Sequence, residues 1–225
     1  ASHWKQLPEG QAREMMRQAM AAATLHLALH PPDAFDAFTL NIKDPPLNVF
    51  LAGDNDGYHV TGRVFTSGVK TVESSRLFLE SQRPRHEPQR SMVHVEGLDV
   101  LRIFEQFYAR SVQVPSRLFE IEPGRFALVQ GMPRADRAWL EGMNTDEAGA
   151  LLAEDLEPIE QRSYTFHCGC HPHRILEVVH AAYDGKADPL FLGDDRVEVQ
   201  CPRCGRSWWL TREDFELGPG KVGVS

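Results

Sequence analysis

Four cysteines gathered two by two within 37 residues are the side chains in this sequence whose type and spacing most directly imply chemistry. One residue separates Cys168 from Cys170, two separate Cys201 from Cys204, and 30 lie between the pairs. Two close pairs of thiolates can surround one tetrahedral Zn²⁺ ion. Cys201-Pro202-Arg203-Cys204-Gly205 has the form of a zinc knuckle, because glycine lets the chain turn sharply enough for backbone amides to approach the sulfurs. A closed four-thiolate shell leaves no position for water, so the expected site is structural, redox-responsive or both, and not hydrolytic. Clustered thiolates are also the forms that react with peroxide and disulfides. An iron–sulfur cluster is the competing use of the same donors. His167, His171 and His173 lie near enough in sequence to replace a cysteine, but with four thiolates present they are read as surface or outer-sphere residues. Cys201 and Cys204 could instead form an oxidoreductase pair. Such a pair opens a helix, whereas Gly205 and the apolar Trp208-Trp209-Leu210 point to a turn running into a strand.

The elements that must carry these residues can be read on either side of them. Between the pairs, residues 174–182 have the pattern of a short amphipathic helix and 196–200 that of a strand. Upstream, apolar residues recur at helical spacing over 9–29, with Met16, Met20, Ala23 and Leu27 on one stripe and Met15, Ala19 and Leu29 beside it, until Pro31 and Pro32 end the helix. That Met-rich stripe is read as core. Phe38, Leu40 and Ile42 alternate with Ala37, Thr39 and Asn41, and the runs 47–52 and 58–65 continue an antiparallel sheet. Between these runs, Gly53-Asp54-Asn55-Asp56-Gly57 lacks the ligand spacing of a calcium loop and reads as a turn. The basic, Pro-interrupted stretch 81–90 reads as a solvated loop rather than an anion contact. A second amphipathic helix is expected over 98–110, and a hairpin over 116–121 and 126–130 around Glu122-Pro123-Gly124. From 142 to 161 the segment is acidic without Lys or Arg. It is read as a linker or peripheral helix, with Asn144 and Glu147 capping a helical piece over 145–154.

These readings give an α+β chain with a mixed helix and antiparallel-sheet domain over 1–141, an acidic linker over 142–162, a small zinc-binding domain over 163–217 and a tail over 218–225. The 225 residues are 42% hydrophobic and 25% charged, an ordinary globular composition. The formal charge of −8 argues against a nucleic-acid partner. No apolar run is long enough to cross a bilayer, and the opening ASHWKQLPEG has neither a signal-peptide nor a transit-peptide profile, so a cytoplasmic protein is expected. Phosphate loops, nucleophile elbows and His-Glu-x-x-His helices are absent from the sequence, and no enzymatic activity is expected.

CxC, about thirty residues, then CxxC, within HCGCHPHRILEVV and LGDDRVEVQCPRCGRSW, resembles the zinc-binding domain of the heat shock protein 33 family. The stretch FEQFYARSVQVPSRLFEI followed by FALVQGMPRA is similar to that family's Ser-x-Gln-x-Pro turn and Gln-x-Met-Pro strand end, here Ser111, Gln113, Pro115, Gln130, Met132 and Pro133. The resemblance implies an α+β domain, a linker and a zinc domain. It also implies an ATP-independent, redox-regulated holdase that binds unfolding clients, with zinc on Cys168, Cys170, Cys201 and Cys204 while reduced. On oxidation it implies disulfides between Cys168 and Cys170 and between Cys201 and Cys204. Only 34 residues separate Pro133 from Cys168, fewer than in the family's linker. A constitutive zinc-stabilised adaptor on the same fold is therefore the alternative, and a homodimer is compatible with either reading.

Overall fold

The computed structural model describes residues 10–154 and 156–218; the opening segment and the tail from 219 lie outside the described residues. The described chain forms two compact units, one ending at His167 and one beginning at Cys168. No helix of the described residues is long and apolar enough to cross a membrane.

In the first unit a six-stranded sheet takes the order β5-β4-β1-β2-β3-β8. Its strands are β1 (Phe35–Ile42), β2 (Leu47–Asp54), β3 (His59–Phe65), β4 (Arg76–Gln82), β5 (Gln89–His94) and the short β8 (Thr165–Phe166). All neighbours are antiparallel except β3 and β8, which run parallel with His59 opposite Thr165. Along β1 alternate residues are buried, so Asp36, Phe38, Leu40 and Ile42 face the core together. Helix α1 (Gly10–Ala28) lays Met15, Met16, Ala19, Ala22, Ala23, His26 and Leu27 on that side. Two glycines allow the close approach: a Cβ at Gly62 would stand 2.7 Å from the Met16 side chain, and one at Gly53 2.4 Å from that of Leu27.

Helix α2 (Val100–Phe107), capped by Asp99 accepting from the Arg102 amide at 3.2 Å, buries Val100, Leu101, Ile103, Phe104 and Phe107. The Phe38 ring lies 5.0 Å from Phe104 and 5.9 Å from Phe107, tilted and edge-on. The helix then widens into a π-helical turn, Tyr108–Val112, which Gln113 ends in the left-handed region at φ 61°. Thus Ser111, Gln113 and Pro115 form the exit from this turn into β6 (Ser116–Glu122). Strand β6 pairs with β7 (Arg125–Gln130) across a turn in which Gly124 takes φ +83°.

Two short helices, α3 (Arg137–Gly142) and α4 (Thr145–Ala153), pack Leu140, Met143 and Ala148 on Phe119 of this hairpin. The acidic segment therefore holds a docked helix, and Asn144 and Glu147 form the reciprocal capping box expected of them. Beyond it, Tyr164 Oη donates to Asn55 Oδ1 at 2.6 Å, and Arg162 donates to the His30 carbonyl at 2.7 Å. The Asn55 amide nitrogen in turn reaches the carbonyls of Leu27, His30 and Pro31 at 2.8, 3.0 and 2.8 Å. The β2–β3 turn is thus a structural knot, with Asp54 Oδ1 accepting from the Gly57 amide at 2.6 Å, as a turn reading requires.

Two expectations need correction, and strands β4 and β5 and helix α3 were not among the expected elements. The stretch 81–90 is not all loop: its ends are the close of β4 and the start of β5, and only 83–88 connects them. Pro84 and Pro88 mark the connection, and the alternation that buries Leu77 and Leu79 continues to its edge. Leu29 leaves the helical stripe and is 51% exposed, its place on the core side being taken by His26. Helix α3 was not foreseen, because six residues carry too little periodicity to be recognised.

The second unit holds α5 (Pro172–Ala182), α6 (Asp188–Phe191), an antiparallel hairpin of β9 (Arg196–Gln200) and β10 (Ser207–Thr211), and α7 (Arg212–Leu217). Its core is Leu176, Ala187, Phe191, Leu210 and Phe215.

Candidate metal centre

The second unit delivers its four cysteines on two tight bends. Gly169, at φ +64°, reverses the chain between Cys168 and Cys170, and His171 with Pro172 then starts α5. Cys201 directly follows β9, and its carbonyl accepts from the Gly205 amide at 2.9 Å while its own amide donates to the Arg206 carbonyl at 2.8 Å. Gly205 takes φ +76°, the left-handed conformation that closes the knuckle. Cys201 and Cys204 are buried, Cys168 and Cys170 partly so.

All four sulfurs lie within 4.8 Å of one another. Cys168 Sγ is 3.7 Å from Cys201 Sγ and Cys170 Sγ is 3.5 Å from Cys204 Sγ, beyond bonding distance for a disulfide. A tetrahedron with arms of ~2.3 Å has edges of about 3.8 Å, so both separations are near the edge length of a tetrathiolate shell. The donors present therefore fit a tetrahedral thiophilic ion, and the cluster could hold a metal.

Without an ion, burial favours the neutral thiol at two of the four positions. Burial drives the Cys170 thiol far above its ordinary value, helped by its bond with Cys204, and burial pushes Cys204 up to about 11. At Cys201 burial acts in the same direction, but the backbone amides of Cys204 and Arg203 and the neighbouring thiols outweigh it and lower the value. One thiolate is thus favoured, and four together need a positive ion between them. The flanking histidines have other partners. His171 Nδ1 accepts from the His173 amide at 3.3 Å, His173 sits 3.5 Å from Glu177, and the His167 ring packs 4.6 Å from that of His59.

A second group of ligand-type side chains, His26, His30 and Asp36, comes together in the first unit. Sequence reading took its helix and strand as core and passed over these three. The legible signal was a His-x-x-x-His at the end of a buried stripe and an aspartate in the buried phase of an alternating strand. Burial holds the His26 imidazole neutral, down to about 3, and His30 and Arg83 add to the effect while Asp36 opposes it.

These features define the class: an α+β protein whose small C-terminal unit is built around a four-thiolate, metal-competent cluster. Comparison with known proteins places that class. No family model matches the chain. The 33 kDa chaperonin of Nitrosococcus oceani is 25% identical over 171 residues, which cover 65% of this chain but only 58% of that protein's length. The 33 kDa chaperonins of Shigella flexneri and Escherichia coli K12 are each 21% identical over 206 residues, 76% of this chain and 71% and 70% of theirs. The crystal structure of the Thermotoga maritima 33 kDa chaperonin, a heat shock protein 33 homolog, matches with a TM-score of 0.65 at 13% identity, covering 90% of this chain and 83% of that one. The resemblance to the heat shock protein 33 family is thus present in sequence, at low identity, and in fold.

Proposed function

We propose that this chain is an ATP-independent holdase chaperone that binds unfolding proteins in the cytoplasm, with Zn²⁺ held by Cys168, Cys170, Cys201 and Cys204 while they are reduced. The observation that carries this reading is the convergence of four thiols within 4.8 Å of one another in a chain similar to 33 kDa chaperonins. Bound there, the ion supplies folding energy to a unit whose own core is small. Oxidation removes the donors: each pair of thiolates gives two electrons to peroxide and becomes a disulfide, Cys168 with Cys170 and Cys201 with Cys204. The unit then loses its support, and apolar surface becomes available to clients.

A specific observation favours a second reading, a constitutive zinc-stabilised adaptor. The segment before Cys168 is short, and it is docked through α4, Arg162, Tyr164 and β8 rather than loose. One experiment separates the two. Zinc release is followed with a chromogenic chelator during peroxide treatment while suppression of thermal aggregation of a client is measured in the same sample. The switch predicts about one zinc per chain with a parallel gain in holdase activity. Zinc loss without that gain, or full activity in the reduced protein, replaces the switch with the adaptor.

A further inference from the structure

His26 and His30 stand one helical turn apart where α1 ends, and Asp36 lies at the start of β1. Periodicity puts them together. Ala19, Ala23, His26 and His30 follow one stripe of the helix and its continuation, while Asp36 shares the core face of Phe38 and Leu40. His26 and Asp36 are buried, and His30 is half-buried.

The Nε2 atoms of His26 and His30 are 3.0 Å apart, and Asp36 Oδ2 lies 3.7 Å from the first and 3.9 Å from the second. A triangle with these sides is acute and has a circumradius of about 2.1 Å. A single point inside it therefore stands about 2.1 Å from all three donor atoms, the length of zinc–imidazole and zinc–carboxylate bonds. The remaining atoms of the three side chains are held as those of ligating groups are. His26 Nδ1 is 2.9 Å from Tyr108 Oη, which leaves Nε2 for an ion. Asp36 accepts from the hydroxyl of Ser81, its partner in the β1–β4 register, and from the Arg83 guanidinium at 3.1 and 3.2 Å. His26, His30, Ser81, Arg83 and Tyr108 all line one cleft of about 590 Å³.

The geometry points to a second metal site, formed by His26 Nε2, His30 Nε2 and Asp36 Oδ2, for a divalent first-row transition ion such as zinc, cobalt or nickel, with its remaining coordination left to a ligand from the cleft. A neutral string of hydrogen bonds from Tyr108 through His26 to His30 would account for the 3.0 Å separation. It leaves the near-equal approach of Asp36 to both rings unexplained. The positive charge of Arg83 beside Asp36 makes this site weaker than the tetrathiolate, so the cysteines load first. The site is independent of the chaperone reading.

The test uses the full chain with its cysteine cluster already saturated with zinc. Co²⁺ is then titrated in, following its visible absorption and the paramagnetic broadening of backbone amides. One further equivalent is expected, with weak d–d bands, no thiolate charge transfer, and broadening centred on residues 26–36. His30→Gln, a change at a half-buried side chain, should weaken this uptake by roughly 100-fold or more. The doubly substituted Cys201→Ser, Cys204→Ser chain should keep it. Absence of a second equivalent in the wild-type chain overturns the site whether or not either variant folds. A second equivalent unaffected by His30→Gln, or broadening elsewhere in the chain, overturns it as well.

Discussion

The two units of this chain solve the problem of stability in different ways. The first covers a six-stranded sheet with two helices and buries large side chains from both, including Phe38, Phe104, Phe107 and Tyr108. Its polar knots, Asn55 and Asp36, are buried beside that apolar framework. The second unit has about fifty residues and a core of Leu176, Ala187, Phe191, Leu210 and Phe215. Domains of that size fall short of the burial needed to hold a fold unaided and use metals or cross-links. The four cysteines are therefore part of the unit's architecture, whereas His26, His30 and Asp36 are additions to an architecture already complete.

The strongest way to break this contrast is to remove the sulfur donors. In the Cys201→Ser, Cys204→Ser chain, or after chelation, residues 168–218 should lose amide protection from hydrogen exchange while β1 to β5 keep theirs. Structural zinc contributes on the order of 10 kcal/mol in small metal-dependent folds, more than this core can replace. Retained protection in both units would mean that the second is self-sufficient.

A smaller effect is expected at Asn55. Replacing it with Ala takes one of two donors from each of the carbonyls of Leu27, His30 and Pro31, which keep the His30 amide, Arg162 and the Ala34 amide, and leaves the Tyr164 hydroxyl without the acceptor for its proton, at a cost of about 2–3 kcal/mol. Denaturant midpoints should fall, and exchange should rise across 160–167 before it rises in the sheet. An unchanged exchange pattern would show that Arg162 and β8 hold the segment without it.

The smallest effect is an acid slope from His26. Its ordinary value of 6.5 falls to about 3 in the folded chain through burial first, then His30 and Arg83 against the opposing pull of Asp36. Above pH 6.5 the imidazole is neutral in both states. As pH falls below 6.5 the unfolded chain takes up a proton that the folded chain refuses, and stability drops by up to about 1.4 kcal/mol per pH unit until about pH 3. Denaturation of the metal-free chain between pH 7 and 5 should show this loss, about 2 kcal/mol in all, and His26→Gln should flatten it. An equal slope in both chains would mean that His26 is solvated or charged.

What the sequence disclosed follows from how local each signal is. Strand β9 was legible to the residue, and β1 and β2 nearly so, because one side of each element faces a core and period-2 alternation records it. The cysteine pairs were legible because both halves of the site are short motifs. Strands β4 and β5 were not read at all, and the two prolines of their connection made 81–90 look like loop. The histidine–aspartate cluster was hidden for a different reason: its members come from two elements, and only the packing of α1 on the sheet makes them neighbours. Likewise, nothing in residues 162–167 alone announces that they are pinned to Asn55, a contact spanning 109 positions.

Strand β8 has one more consequence. The Thr165 amide donates to the Tyr58 carbonyl and the His167 amide to the Val60 carbonyl, at 2.9 and 3.0 Å, so a few residues just ahead of Cys168 cover the outer margin of β3. If that strip let go, β3 would present bare carbonyls and amides along an extended backbone. Any partly unfolded polypeptide can pair with such an edge whatever its sequence, so the sheet would become a place to add a foreign strand.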